Sequence, residues 1–482
     1  MLRAILAMAL AVAPLPAVGA AMPARPLGVA WSPVYGFPPA KPESFMPQAR
    51  SIGASFARLT LYWSQIEPRD GVRRWDELDA YLAQPQSPDE AMLTIAAASP
   101  WATRSQAWVF PSSPALDPAR YQAFVRDVVA HAKGRIRYFQ SENEPNNSFF
   151  WAGSADDYAA QQRLFYKTVK QADPHAVVVL GASDGLFDPS GADPFPGQEK
   201  DMAFVAQILK DAQGAYDLFD LHLYGNPYTI PARVAAVRAM MRQAGAEKPI
   251  IASEYDGPTF FEFKANRRQW AALQAPSASP DSVRALRARD ADLPAETRMF
   301  LHPEDPALAR KMLRLQSADL VVRNLLALDS GIERTAFFQL AQDKGDPDAP
   351  NTILCGRMAL LGRGANGALA PLPLAERFQR LASAIGDVTS ISRLTVADQP
   401  DVYAYRVTRR NRPSLLVAWR RPEAPGKVVT AADAILRSGI GHGVLSAITI
   451  EGENVTATPT DDGLRIDLTD MPVLITYETR AR

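Results

Sequence analysis

The first two thirds of the chain alternate between short apolar runs and longer stretches with a helical repeat. Eight runs rich in β-branched and other apolar residues predict strands. They are residues 27–31, 55–62, 92–97, 136–140, 176–180, 218–222, 249–253 and 335–339. Amphipathic stretches such as 118–133 and 155–172 separate them. Eight strand–helix pairs over ~300 residues predict a (β/α)8 TIM barrel. An open doubly wound sheet is disfavoured, because no glycine-rich phosphate loop follows the first strand.

Two connections depart from regular spacing. Residues 256–305 separate the seventh strand from its helix and carry the aromatic residues Phe260, Phe261, Phe263 and Trp270. Residues 183–201, after the fifth strand, form a second long connection that is rich in glycine and proline at its centre. Loops that follow barrel strands surround the active-site mouth. We therefore expect 256–305 to be an insertion that covers the mouth and shapes the substrate cleft.

After about Ile391 the apolar residues recur at every second position, which indicates strands. The predicted strands are 402–408, 415–419, 445–450, 455–458, 464–468 and 473–477. They predict a small C-terminal all-β sandwich over 389–482, after a barrel domain over 21–388. These strands lack a conspicuous row of exposed aromatic residues. This favours a sandwich that packs on the barrel over one that binds polysaccharide.

The first 20 residues have the pattern of an export signal. Arg3 is the only charged residue, an apolar run extends from 4 to 18, and small residues precede a cleavage point after Ala20. A buried N-terminal helix or strand is the alternative, but Pro14 and Pro16 would disturb a core helix. We therefore expect an exported protein, either periplasmic or secreted, without a transmembrane anchor.

Charge and metal-ligand content narrow the function classes. The chain of 482 residues has 52 basic and 52 acidic side chains. It therefore lacks the basic excess that nucleic-acid binding requires. Cys355 is the only cysteine, so no intramolecular disulfide or cysteine metal cluster is possible. None of the five histidines has a second histidine at metal-ligand spacing. We expect a monomer that acts on an oligo- or polysaccharide, without metal or other cofactor.

Two glutamates stand at strand ends, where barrel enzymes place catalytic side chains. Glu144 lies in Asn143-Glu144-Pro145 after the fourth strand, and Glu254 ends the seventh strand. Glycoside hydrolysis needs such a carboxylate pair. Taken singly, Glu144 could be a loop carboxylate bonded to backbone N–H groups, and Glu254 could be a buried ion-pair partner. Their placement on strands four and seven favours catalysis.

Residues 27–339 resemble clan A glycoside hydrolases, with families 39 and 5 the nearest in character. The resemblance rests on the two glutamates and on three further segments. These are Arg58-Leu59-Thr60-Leu61-Tyr62-Trp63, the following Ile66-Glu67-Pro68, and His222-Leu223-Tyr224. It implies a retaining glycosidase with Glu144 as general acid/base and Glu254 as nucleophile. A transglycosylase and a non-catalytic carbohydrate-binding barrel are the alternatives.

The resemblance also implies roles for the neighbouring residues. Asn143 would hydrogen-bond the sugar 2-OH, Arg58 and Tyr224 would hold the nucleophile, and His222 would line the same wall. Many clan members place a tryptophan at the end of strand eight. This chain has Phe338-Gln339 there, and we expect Phe338 or Gln339 to replace it. Several tryptophans lie near predicted strand ends, among them Trp63, Trp101, Trp108 and Trp151. Exposed there, they would stack on sugar faces, as we expect of Trp63; a core role is the default for any one of them.

Glu142 competes with Glu144 as the general acid. On a continuing strand, residues two apart face the same side. Glu144 is preferred because it lies nearer the mouth and because Pro145 ends the strand. Glu142 is expected one step deeper in the barrel, bonded to Arg58 or to another polar group of the inner layer.

Overall fold

The structure is a computed structural model that describes residues 23–31, 45–191, 194–273, 277–342, 346, 348–350, 352–356, 358–437, 443–461 and 463–478. Eight parallel strands close into a barrel in sequence order, and β8 pairs back to β1. The strands are β1 Leu27–Trp31, β2 Ala57–Tyr62, β3 Ala91–Ala96, β4 Tyr138–Ser141, β5 Val177–Ser183, β6 Leu218–Leu221, β7 Ile250–Tyr255 and β8 Ile332–Phe338. The predicted barrel is therefore confirmed, with every predicted strand present.

Helices surround the barrel. They are α1 Met46–Ser51, α2 Trp63–Ile66, α3 Asp76–Leu82, α4 Pro118–Ala132, α5 Ala155–Ala172, α6 Gln198–Asp211, α7 Ile230–Gln243, α8 Arg267–Leu273, α9 Pro280–Arg287, α10 Ala295–Leu301, α11 Pro306–Asp329 and α12 Pro373–Ala384. Local sequence sets where they begin. Asp117 caps α4 ahead of Pro118, and Ser154 forms a capping box with Asp157 at α5. The strands between them are buried on both faces and therefore appear as continuous apolar runs.

The C-terminal part is all-β, as predicted. After a short hairpin of β9 Leu361–Arg363 and β10 Leu369–Pro371 come β11 Val388–Leu394, β12 Val402–Arg409, β13 Ser414–Arg420, β14 Ala432–Leu436, β15 Val444–Thr449, β16 Ala457–Thr460, β17 Gly463–Leu468 and β18 Val473–Tyr477. They form antiparallel sheets in the orders β11-β12-β13-β18-β15 and β14-β17-β16. Apolar residues of both sheets share one core.

The other face of the five-stranded sheet packs on the barrel. Tyr405 and Trp419 belong to the same apolar cluster as the barrel strands. The indole N–H of Trp419 donates to the hydroxyl of Tyr228, at 2.9 Å. An ion pair joins Arg314 of α11 to Asp470. The sheet therefore braces the helical side of the barrel.

The long connection after β7 folds into a small helical unit. It contains α8, α9 and α10, whose apolar side chains form a separate core with Phe260, Phe263 and residues 353–354. Phe261 reaches the neighbouring loop after β5, where its ring lies 5.8 Å from that of Phe195. The aromatic residues of this segment are thus mostly internal, and Phe261 links two loops of the barrel mouth.

The predicted export signal, residues 1–20, lies outside the described residues. Within the described part of the chain, none of the helices combines the length and apolar character needed to span a bilayer.

Candidate active site

Two glutamates meet at the carboxyl end of the barrel. β4 ends at Ser141 and the chain then turns away, with φ angles of 65° at Glu142 and 40° at Glu144. β7 instead continues through Glu254 to Tyr255. Glu144 is 5% exposed and Glu254 is 8% exposed. One carboxylate oxygen of each lies within 4.8 Å of the other. The two glutamates singled out from the sequence therefore share one site.

His222 follows β6 and is fully buried beside both glutamates. Its Nδ1 lies 2.6 Å from Oε1 of Glu144 and 3.6 Å from Oε2 of Glu254. Its Nε2 lies 3.6 Å from Oδ2 of Asp220 and 3.4 Å from Oγ of Ser253. The imidazole therefore connects the mouth of the barrel to polar groups beneath it.

Burial and charge set the protonation of this cluster. Burial alone would lower the pKa of His222, but the carboxylates of Glu254, Asp220 and Glu144 raise it to about 10. His222 is therefore a cation at neutral pH. Burial raises the pKa of Glu144 to about 7, although the hydrogen bond and the positive charge of His222 oppose the shift. Burial alone would raise the pKa of Asp220. The charge of His222 is the main opposing effect, and the pKa of Asp220 is lowered overall.

Arg58 of β2 holds Glu254 from the other side. Its guanidinium forms a buried ion pair with Oε1 of Glu254 and donates to Oδ1 of Asn143 at 2.6 Å and to Oε1 of Gln140 at 3.0 Å. The hydroxyl of Tyr224 donates to Oε2 of Glu254 at 2.9 Å. Both oxygens of Glu254 are thus hydrogen-bonded, and Arg58, Asn143 and Tyr224 meet where the resemblance implied.

A polar layer beneath these residues was not predicted. Gln140 donates to Asp220 at 2.6 Å and accepts from the hydroxyl of Thr94 at 2.7 Å. The backbone N–H of Ser253 donates to Asp220 at 2.8 Å. The sequence holds one signal for Asp220, because it is a single acidic residue within an apolar strand. Asp220 also stands two residues before His222, and side chains two apart on a strand share a face.

Glu142 does not lie where we expected. Its Oε1 accepts from the backbone N–H of Ala97 at 2.9 Å and from the amide of Gln161 at 2.6 Å. Gln161 belongs to α5, so Glu142 faces the helical layer outside the barrel and not Arg58. The rule of alternating sides fails because β4 ends at Ser141 and both glutamates have left-handed backbone geometry.

Trp63 also lies elsewhere than we expected. It is fully buried, stacks on Phe124 at 4.9 Å between ring centroids, and donates to Glu67 at 3.1 Å. It is a core residue and not a sugar platform, because a side chain at a strand end can turn outward towards the helices. Phe338 does end β8, next to Ala30 of β1, and is half-buried.

The three side chains Glu144, His222 and Glu254 could geometrically hold a cation, since one ligand atom from each lies within 4.8 Å of the others. The charges argue against it. Arg58 is already paired with Glu254, and the raised pKa of His222 makes it a cation. A metal ion would have to displace both positive charges.

A surface pocket lies where the loops after β6 and β7 meet α11 and the loops of the C-terminal sheets. Tyr228, Pro258, Asp319 and Arg421 are among its lining residues. None of the site residues lines it, so we assign it no part in the chemistry of the glutamate pair.

Comparison of the sequence with protein-family models and with curated proteins finds no match. Solved structures do match. A family 39 glycoside hydrolase from Bacteroides cellulosilyticus WH2 has a TM-score of 0.62 at 14% identity, covering 95% of this chain and 81% of that one. A monomeric beta-xylosidase from Caulobacter crescentus CB15 has a TM-score of 0.56 at 15% identity, covering 96% and 98%. A family 51 alpha-L-arabinofuranosidase from Bifidobacterium longum has a TM-score of 0.55 at 12% identity, covering 96% and 98%. The chain therefore has the fold of these glycoside hydrolases, including that of family 39, as the resemblance in its sequence predicted.

Proposed function

We propose that the protein is an exported, retaining glycoside hydrolase that cleaves O-glycosidic bonds of an oligo- or polysaccharide by double displacement. The observation that carries the proposal is the approach of Glu144 and Glu254 to within 4.8 Å at the barrel mouth. Retaining glycosidases hold their carboxyl groups ~5 Å apart, whereas inverting enzymes need more room for a water molecule.

Glu254 is suited to be the nucleophile. Arg58 and Tyr224 both donate to its carboxylate. These two contacts fix the orientation of the carboxylate that would attack the anomeric carbon. Asn143 uses its amide oxygen towards Arg58, so its NH₂ group can donate to the sugar 2-OH.

Glu144 is suited to be the acid and then the base. Burial, with a contribution from the charge of Glu254, raises its pKa to about 7, so that a large fraction of Glu144 carries the proton near neutral pH. When Glu254 becomes a glycosyl ester it loses its charge. The pKa of Glu144 then falls, and the same carboxylate can take a proton from the attacking water.

A panel of aryl glycosides tests the proposal. The names of the structural relatives make 4-nitrophenyl β-xyloside and 4-nitrophenyl α-L-arabinofuranoside the first probes. Turnover with an NMR time course that shows the retained anomer first is the expected result. Glu144→Gln should spare activated leaving groups, and azide should restore turnover as a glycosyl azide of retained configuration. First appearance of the inverted anomer would reject the retaining mechanism, and no turnover on any panel member would reject the glycosidase. Products formed at high acceptor concentration separate transfer from hydrolysis.

A further inference from the structure

Exposed aromatic side chains are concentrated on two loops of the barrel mouth. Among the described residues, the only phenylalanine, tyrosine or tryptophan side chains in the exposed class are Trp108, 46% exposed, and Phe149, 52% exposed. Trp108 lies in the loop after β3 and Phe149 in the loop after β4. With the half-buried Phe110 and Phe150 they make up what we call the aromatic patch. Aromatic side chains clustered and exposed at the mouth of a barrel form a candidate binding surface.

The patch is held firmly in place. The ring of Phe110 lies 4.7 Å from that of Phe150 and 6.1 Å from that of Phe149. Phe149 and Phe150 meet edge to face at 4.9 Å. Below them, Phe110 packs against the buried Tyr62 at 5.1 Å. The exposed ring of Phe149 is therefore presented on a packed base.

Backbone hydrogen bonds tie the patch to the proposed general acid. The N–H of Asn147 donates to the carbonyl of Glu144 at 2.9 Å, and the N–H of Phe150 donates to the carbonyl of Asn147 at 3.0 Å. The two loops are also joined, because Ser112 donates to Phe150 at 2.8 Å. The distance between the patch and Glu144 is thus set by a short, bonded turn.

The chemistry indicates what the patch binds. A general acid gives its proton to the glycosidic oxygen, so the leaving group is the part of the substrate nearest the acid. The loop that carries Glu144 carries Phe149 five residues later. Phenyl and indole faces stack well on the apolar face of a pyranose and on an aryl ring.

We propose that the aromatic patch binds the ring of the leaving group, whether a sugar or an aryl aglycone, and so selects substrates on that side of the scissile bond. The proposal rests on the proposed function, because it takes Glu144 as the general acid. The proposal does not extend to the sugar on the other side of the scissile bond, which would bind around Glu254 and Phe338.

The test compares Trp108→Ala and Phe149→Ala with the wild type on three substrates of one sugar. The glycosyl fluoride has a single-atom leaving group, the 4-nitrophenyl glycoside an aromatic ring, and the disaccharide a sugar ring. We measure kcat/KM because it reports the step in which the leaving group departs. For each variant, kcat/KM should fall about three- to tenfold on one or both ring-bearing substrates. On the fluoride it should change less than about twofold.

Two controls sharpen the result. Phe149→Tyr keeps the ring and should keep the activity of the wild type. Leu445→Ala removes a side chain that is 52% exposed on the C-terminal sheet and should leave all three rates unchanged. A loss confined to the aryl glycoside or to the disaccharide shows which ring the patch binds. Equal losses on the fluoride and the ring-bearing substrates, or no loss on either, would overturn the inference while leaving the glycosidase intact. The sugar is one that the wild type turns over in the aryl-glycoside panel; a wild type inactive on every member of that panel would overturn the proposed function and this inference with it.

Discussion

The imidazole of His222 contacts the carboxylate of Glu144 through Nδ1, at 2.6 Å from Oε1. Asp220 lies behind the ring at 3.6 Å from Nε2 and, with Glu254, keeps the imidazole charged. A cation in hydrogen-bond contact with a general acid opposes the proton that the acid must carry. Burial of Glu144 has the opposite effect, because it raises the pKa of the carboxyl group and so favours the protonated form. The pKa of Glu144 therefore reflects a balance between burial and His222, and that balance can be changed.

Replacing His222 should move the alkaline limb of the pH–rate profile. Glu144 must be protonated to act as an acid, so kcat/KM should fall as pH rises through its pKa of about 7. His222→Gln removes the positive charge, which raises the pKa of Glu144 and should shift the limb to higher pH by roughly one unit. The profile with a 4-nitrophenyl glycoside measures this. A limb that stays in place or moves to lower pH would contradict the assignment. Thermal unfolding of the variant controls for structural damage.

Removing the charge of Glu254 should affect both activity and stability. Glu254→Gln has no nucleophilic carboxylate, so turnover should fall by more than about a thousandfold whatever the leaving group. Arg58 then remains buried without its ion-pair partner, which should lower the free energy of unfolding by about 1–3 kcal/mol. Rate assays and urea denaturation measure the two effects. Rescue by an activated leaving group would show that Glu254 is not the nucleophile.

Chelation should leave the enzyme active. Arg58 and His222 already balance the charge of the two carboxylates, so catalysis should need no added cation. Dialysis against EDTA should change kcat/KM by less than about twofold on any substrate that is turned over. A loss that zinc, calcium or magnesium restores would make Glu144, His222 and Glu254 a metal site.

The barrel was predictable because parallel strands buried on both sides appear as uninterrupted apolar runs. β11 and β14 were missed for the opposite reason. β11 is mostly exposed and lies at an edge of its sheet, and β14 is a five-residue edge strand with two exposed residues. Their sequences therefore carry little apolar alternation.

At the site, the strand-end rule located Glu144 and Glu254 but could not tell on which side of the sheet a side chain lies once the strand has ended. Glu142 and Trp63 were misplaced for that reason. Gln140 was missed because one neutral polar residue in a short buried strand has no local pattern, and the acid at 220 gave a signal without showing which groups it would contact. The hydrogen-bond partners of Gln140 and Asp220 lie on strands that are distant in sequence.

The insertion after β7 should influence long substrates through Phe261. The sequence predicts that this segment shapes the cleft, and deletion of the segment would be the direct test. Deletion would also expose the core around Phe260 and Phe300. Phe261→Ala is cleaner, because this ring is the one that meets Phe195 of the loop after β5. We expect KM to rise more for a hexasaccharide than for an aryl glycoside of the same sugar. Phe263→Leu, inside the insertion core, is the matched control. Equal effects on both substrates would argue against a cleft role.

Glu142→Gln should change the pH dependence of stability and not the chemistry. Burial raises the pKa of Glu142 to about 7 from its ordinary value of 4.5, although the N–H of Ala97 and the amide of Gln161 oppose the shift. Between those two values the folded protein holds a proton that the unfolded chain releases. The contribution of this group to the free energy of unfolding therefore falls as pH rises from about 4.5 to 7 and levels off above that. The glutamine variant stays neutral, so relative to the wild type it should gain about 1–3 kcal/mol between pH 5 and pH 8. Urea denaturation at both pH values measures the difference, with Glu199→Gln, at an exposed position, as the reference for loss of a surface carboxylate. The variant should keep the leaving-group dependence of the wild type, because Glu142 faces α5 and not the mouth. A loss of activity that azide restores would instead make Glu142 the acid and leave Glu144 without that role.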